Sequence, residues 1–325
     1  MSEIIDTIMI GAGPSALAAA VYTTREDITT VLYEKGVIGG LAAITDMVDN
    51  YPGFPDGVEG MKLADQLQKQ AERFGAKIEF GQADSLTVEK DGTKTVVIDG
   101  QPVHAKTVLI ATGSDYNKLG IPGEQELYGR GVHYCATCDG AFYREKRLVV
   151  VGGGNSAVQE AIFLTRFATH IDLLVRSTVK ASDVLQQDLQ KYVDEGKITV
   201  HLGVVPSEIV AGDDGKVTHV NAKKGEEDVK FETDGVFVFV GLKPNTQFLE
   251  GSGIELDEQK LIKTDDHLET NIPGVFASGD VRSGATMQIA SAVGEGATAA
   301  LAIREYLDNL QHVEVAPHTD SAAAV

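Results

Sequence analysis

The 325-residue sequence holds only two cysteines, Cys135 and Cys138. Secreted disulfide scaffolds use more cysteines at wider spacing, so that class is excluded. A structural zinc site needs about four ligands. His133 offers a third, but no second Cys or His pair follows at ligand spacing. No metal is expected, and redox chemistry is the leading reading of a lone C-x-x-C. Basic residues are also scarce. Lys and Arg number 28 against 48 Asp and Glu, a net charge of −20. Such a surface repels phosphate backbones and anionic lipids, which argues against nucleic acid or membrane as a partner. Solubility accounts for the charge itself. Long apolar runs are missing: none approaches the roughly 18 residues of a membrane helix. The first, Ile8–Val21, is broken by Gly11, Gly13 and Pro14 and has no basic stretch before it. That is not a secretory signal, and a cytoplasmic location is expected.

Glycine is plentiful, with 35 residues and no repeating period, as expected of a globular chain with many tight turns. The length allows two domains. The chain opens with an apolar strand, Ile4–Ile10, a Gly-rich turn, a helical Leu17–Tyr22 and a second strand, Thr30–Glu34. This is a βαβ unit. It recurs as strand Leu148–Val151, a second Gly-rich turn, a helix to about Phe167 and strand Ile171–Val175. Gln82–Val97 and Val217–Phe231 read as small antiparallel insertions, turning at Asp91-Gly92 and at Gly212–Gly215. Gly/Pro-bearing stretches at Gly113–Pro122 and Gly241–Thr246 mark two crossings between domains. The expected architecture is α/β, with two Rossmann-like three-layer dinucleotide-binding domains, the second inserted into the first. The expected bounds are 1–117 and 244–312 for a FAD domain, 118–243 for a nicotinamide domain, and 313–325 for a flexible tail.

The Gly-rich turns are where nucleotide chemistry enters. In G-x-G-x-x-[GA] the first Gly permits the tight turn and the second lets backbone approach a pyrophosphate. The third small residue lets the helix pack closely, so its N-terminal N–H groups face the anion. Gly11, Gly13 and Ala16 fit, with Pro14 and Ser15 between them; so do Gly152, Gly154 and Ala157, with Asn155 and Ser156. The residue ending the second strand, roughly 20 positions on, separates the two sites. Glu34, followed by Lys35, suits a free ribose 2′-OH, and therefore FAD or NAD. Arg176, with Lys180 downstream, suits the 2′-phosphate of NADPH, NADH remaining open.

Cys135-Ala136-Thr137-Cys138 lies just before the second nucleotide strand, and its thiols can close a small disulfide that exchanges through a thiolate. Asp139, next in sequence, can carry the proton, or can serve as a turn residue. Farther on, Gly274–Asp280 is a strand ending in Gly279-Asp280, where a carboxylate can hold ribitol hydroxyls of a flavin.

On these residues the chain resembles the low-molecular-weight bacterial thioredoxin reductases along nearly its whole length. The resemblance rests on Gly11-Ala12-Gly13-Pro14, Asn50-Tyr51-Pro52-Gly53-Phe54, Ala111-Thr112-Gly113, Cys135–Gly140, Gly152–Ala157 and Ala277–Val281. It implies FAD, held by the first turn together with Gly40, Leu41, Asn50, Thr112, Gly113, Gly279, Asp280, Met287, Gln288 and Ile289. It implies NADPH on the second turn and a homodimer. Electrons would pass from NADPH through FAD to the Cys135–Cys138 disulfide, Cys138 being nearer the flavin. Cys135 would attack thioredoxin or a similar small disulfide protein, and Asp139 would donate the proton. Four positions depart from the family. Leu41 stands for Gln, Met287 for Arg and Ala16 for the third Gly, and Val175-Arg176-Ser177 replaces His-Arg-Arg. The competing readings are a dithiol oxidase or reductase with another electron donor, and a flavin redox sensor without turnover.

Overall fold

The computed structural model describes residues 4–45, 47–48 and 50–315. It divides into two compact units, one running to Ser114 and resuming at Pro244, the other being Asp115–Lys243. The second is thus inserted into the first. Its first residue lies a little before the expected 118, because the strand carrying the crossing already begins at Ser114.

The first unit begins with β1 (Ile5–Ile10), α1 (Pro14–Thr24), β2 (Thr30–Glu34), α2 (Gly40–Ala43), β3 (Met47–Val48), β4 (Val58–Glu59) and α3 (Gly60–Arg73). It continues through β5 (Lys77–Phe80), β6 (Ala83–Val88), β7 (Lys94–Ile98) and β8 (Gln101–Ile110). The sheet order is β5-β2-β1-β8-β7-β6. The β5, β2, β1 and β8 strands are parallel; β7 and β6 are antiparallel additions. The Gln82–Val97 segment is therefore a hairpin, but not a free insertion: β7 pairs with β8 and extends the main sheet.

In the inserted unit, β9 (Ser114–Tyr116) precedes β10 (Val132–His133), α4 (Ala136–Asp139), a 3-10 turn over Gly140–Tyr143, β11 (Arg147–Val151) and α5 (Asn155–Leu164). Then come β12 (His170–Val175), α6 (Asp183–Asp194), β13 (Ile198–Leu202), β14 (Val204–Ala211), β15 (Val217–Lys224), β16 (Glu227–Glu232), β17 (Gly235–Val238) and β18 (Leu242–Pro244). The strands β10-β17-β11-β12-β13 form an all-parallel sheet. The strands β14-β15-β16 form a separate antiparallel one, with a second turn at Gly225 that composition did not signal. The two crossings, β9 and β18, pair with each other. Helix α5 stops at Leu164, short of Phe167, where the Thr165 hydroxyl and amide both turn back to the Ile162 carbonyl.

Back in the first unit, β19 (Val275–Ala277) joins β8 in parallel, and α7 (Ile289–Val315) follows. The helix overruns the expected start of the tail at 313; residues 316–325 lie outside the described residues.

Each parallel sheet is buried on both faces, as the continuous apolar strands require. On one face of the first sheet, Ala16, Leu17, Ala20, Ala299 and Ile303 form a core; Ile8, Val108, Leu249, Ile262 and Val281 form another on the opposite face. The inserted sheet is covered by Val158, Ala161, Leu164 and Leu189 on one side and by Ile209, Val217 and Val220 on the other. These are the two expected three-layer α/β units. Small residues set the α1–α7 spacing: a Cβ on Gly296 would lie 2.1 Å from the Ser15 carbonyl oxygen.

Candidate functional site

In the first unit, β1 delivers the chain into the turn at Gly11. Gly11 has φ +99°, and a Cβ there would sit 2.5 Å from the Ala111 oxygen, so the position admits only glycine. Gly13 differs: its backbone is extended, and a Cβ would meet nothing within 4 Å. The chain leaves a cradle there. Pro14 opens α1, and no side chain caps the helix. Its leading N–H groups are orphans by helical geometry and favour an anion. Gly40 borders the cradle, its Cβ direction running to 3.8 Å from the Gly13 Cα. Glu34 closes it from β2. The carboxylate is 9% exposed, one oxygen accepting from the Ala12 amide and the other from the Gly36 amide, both at 2.8 Å. Each oxygen keeps a lone pair for a ligand hydroxyl. Lys35 is exposed beside it.

The return segment completes the site. The Ser15 and Ser278 hydroxyls pair at 2.6 Å, which seats Gly279 and Asp280 against the first turn. Asp280 accepts no hydrogen bond through its side chain among the described residues. Burial, then the nearby Glu295, pushes its carboxyl up to about 6. A buried carboxylate without a donor is a group waiting for one. Glu295 on α7 fixes this loop by accepting from the Gly279 amide at 2.7 Å and from both Nε and Nη2 of Arg282. Asn50 donates to Gln288 at 3.0 Å, joining two expected contacts. Met287 takes a positive φ of +57°, and Ile289 begins α7. Leu41 is exposed. The Thr112 hydroxyl donates to the Asn245 carbonyl, while the Asn245 amide side chain donates to the Thr112 carbonyl; the Asn245 N–H bonds to Gly113. The open cradle, the uncapped helix and the unpartnered Asp280 fit a dinucleotide carrying a polyol, as FAD does.

The inserted unit repeats the turn. Gly152 has φ +145°, and a Cβ there would lie 2.3 Å from the Phe239 oxygen; a Cβ on Gly153 would strike Val175. Gly154, like Gly13, faces open space and starts an uncapped helix, α5. The Lys180 amide donates to the Gly153 carbonyl at 2.6 Å, and the Ser182 amide to the Asn155 side chain at 2.8 Å, so the loop after β12 folds back beside the turn. Ala157 packs inside, while Ser156, Arg176 and Lys180 are exposed. The donor set suits a phosphate-bearing nucleotide.

The dithiol lies in this same unit. Cys135 and Cys138 form a disulfide with Cα atoms 5.4 Å apart. Cys135 is the N-cap of α4, and its Sγ accepts from the Cys138 amide at 3.1 Å. Tyr134, just before it, donates to buried Glu124 at 2.8 Å; Glu124 also accepts the Leu119 and Gly120 amides. Asp139 turns toward His133, Oδ2 to Nδ1 at 3.2 Å, and His133 Nε2 lies 2.6 Å from the Tyr143 hydroxyl. Sequence reasoning considered His133 only as a metal ligand and missed Tyr143, Glu124 and Glu295. The position of His133 two before Cys135 was the available signal; Glu295, within a long helix, gave none.

Residues 5–296 match the family described as pyridine nucleotide-disulphide oxidoreductase. The chain belongs to that family. It is similar to the thioredoxin reductase of Bacillus subtilis, 42% identical over 96% of this chain and 98% of the relative. A thioredoxin reductase of Listeria innocua is 42% identical over 95% and 96% of the two chains. The crystal structure of thioredoxin reductase from Streptococcus pyogenes superposes with a TM-score of 0.89 at 38% identity, covering 95% of this chain and 100% of that one.

Proposed function

We propose that this protein is an FAD-dependent, NADPH-linked reductase of protein disulfides of the thioredoxin type. The observation that carries the reading is the Cys135–Cys138 disulfide, built into the same unit as the second Gly-rich turn. The relatives named above are thioredoxin reductases throughout. FAD would be held by Gly11, Gly13, Glu34 and Asp280, and NADPH by Gly152, Gly154, Arg176 and Lys180. Bound FAD supplies the two-electron link between the nicotinamide and the disulfide. Once reduced, Cys135 is the better nucleophile: the Cys138 N–H aimed at its sulfur stabilises a thiolate. Cys135 attacks the partner disulfide, and Cys138 then displaces the partner by attacking the Cys135 sulfur. Asp139 carries a proton from the enzyme thiols to the departing partner thiolate. A homodimer and a cytoplasmic location belong to the same reading. No helix among the described residues is long and apolar enough to cross a membrane.

Arg176 stands without a second arginine at the strand end, which favours a rival: a dithiol oxidase with oxygen as acceptor. Anaerobic mixing with NADPH separates the two. The flavin absorbance should bleach within milliseconds to seconds, and thioredoxin should then recover it. Cys135→Ser and Cys138→Ser should each abolish thioredoxin reduction while flavin bleaching survives. Unchanged disulfide turnover in either variant refutes the assignment. No bleaching by either nicotinamide in the wild type favours the oxidase.

A further inference from the structure

The Asp139 side chain has one imidazole partner, and that imidazole has a second partner behind it. His133 is 6% exposed. It lies on β10, its ring stacked on Phe237 of β17 at 5.1 Å and edge-on to Tyr143 at 5.3 Å. Tyr143 is seated by Gly235, where a Cβ would lie 2.4 Å from its ring. The ring atoms therefore have little freedom, and Nδ1 and Nε2 hold fixed directions toward Asp139 and Tyr143. Burial, then Asp139 and Asp234, raises the Tyr143 phenol, which keeps it a neutral hydroxyl able to donate or accept. Two other titratable groups face the chain. Tyr128, before β10, senses Asp139, and Asp234, before β17, acts on Tyr143.

We propose that His133 is a positioning residue for Asp139, and that Asp139, His133 and Tyr143 form a hydrogen-bonded chain serving the dithiol. The inference rests on the disulfide-reductase reading above. With Asp139 ionised, His133 donates Nδ1–H to it, and Nε2 accepts from the Tyr143 hydroxyl. With Asp139 protonated on its other oxygen, Oδ2 still accepts Nδ1–H, and Nε2 still accepts from the Tyr143 hydroxyl. Either state leaves both imidazole nitrogens paired, so Asp139 gains or loses a proton without orphaning a buried polar group. The proton count closes. Two enzyme thiols lose two protons as their disulfide forms, and the partner disulfide, breaking, takes them up as two thiols. Asp139 holds one of these in transit, on the oxygen turned away from His133, and His133 and Tyr143 keep their own protons.

The test uses the holoenzyme, its dithiol reduced anaerobically and mixed with 5,5′-dithiobis(2-nitrobenzoate) from pH 5.5 to 9. His133→Phe keeps the stacking and removes both hydrogen bonds. The disulfide step should slow about tenfold to a hundredfold, less than the full roughly 10²–10⁴-fold of acid–base assistance because Asp139 itself remains. The pH dependence of that step should change, with flavin bleaching by NADPH retained. Tyr143→Phe should shift the same profile in the same direction by less. His133→Asn, which keeps a hydrogen-bonding amide near the Nδ1 position, should recover part of the rate, and it serves if the Phe variant does not fold. Rates and profiles in His133→Phe and Tyr143→Phe that superimpose on the wild type overturn the proposal. A uniform loss with no change of profile, unrelieved in His133→Asn, also overturns it and leaves His133 a packing residue. The control is Cys135→Ser, which keeps one thiol and should release one thiolate per flavin where the dithiol releases two; if it still releases two, the dithiol reading fails, independently of His133.

Discussion

The two Gly-rich turns share one plan and differ in what surrounds them. Gly13 and Gly154 both face open space at the start of uncapped helices, and Gly11 and Gly152 both lie where a Cβ would strike backbone. Around the first turn everything is tied down. Glu34 is buried and held by two amides, and Ser15 is bonded to Ser278 from the far end of the chain. Around the second, Arg176 and Lys180 are exposed, and the covering loop comes from the adjacent residues 180–182. A ligand on the first turn is enclosed by segments distant in sequence, whose separation requires opening a core. A ligand on the second meets solvent-exposed side chains that let it leave. The contrast suits a resident flavin beside an exchanging nicotinamide.

The most severe way to break the comparison is to fill each cradle. Gly13 and Gly154 have extended backbones that any residue adopts, so Gly13→Val and Gly154→Val should fold. Added bulk against a bound pyrophosphate costs about 1–3 kcal/mol or more, roughly tenfold to over a hundredfold. Gly13→Val should purify with little flavin absorbance. Gly154→Val should purify yellow, with the Michaelis constant for NADPH raised at least tenfold. Matching phenotypes would mean that the turns are not specialised.

Asp280 sharpens the same point through pH. Its folded carboxyl titrates near 6, above the ordinary 3.8, because burial and then Glu295 disfavour the charge. The folded state therefore binds the proton more tightly than the unfolded chain. The stabilisation is full below about 3.8 and is lost as pH rises through about 6. In flavin-stripped protein this should amount to about 3 kcal/mol at most, at roughly 1.4 kcal/mol per unit. Urea melts between pH 5 and 8 should show the decline in wild type and not in Asp280→Asn. Bound FAD, offering a donor to the carboxylate, should flatten it.

Arg176→Ala probes the open site. Hydrogen bonds to charged groups contribute about 1.5–3 kcal/mol, and exposure reduces that. The Michaelis constant for NADPH should rise about tenfold, with that for NADH nearly unchanged. Equal damage to both would place Arg176 in the fold rather than at the phosphate. The smallest effect concerns the tie over the first turn. Ser278→Ala leaves the buried Ser15 hydroxyl without its partner and should lower unfolding stability by about 1 kcal/mol, with the nicotinamide kinetics untouched.

Much of the fold was legible because its signals are local. Apolar strands, Gly-rich turns and Ala-rich helices follow one another in register with the two βαβ units. The second turn of the β14–β16 sheet was missed because Gly225 sits among charged residues that also suit an exposed strand. The end of helix α7 was assigned to the tail because residues from 311 on look polar and small.

The sequence by itself determined which residues could turn, bind phosphate and exchange disulfides. Steric freedom at glycine and the reactivity of paired thiols are properties of a few neighbours in the chain. Only the tertiary structure decided the electrical setting of those groups. Asp280 is raised by burial against Glu295, Glu34 is clamped by Ala12 and Gly36, and Asp139 is joined to His133 and Tyr143. Hydrogen bonding and desolvation depend on which segments pack together, and in Asp280 and Ser278 those segments lie some 260 residues from the turn they complete. Local pattern carries no record of such distances.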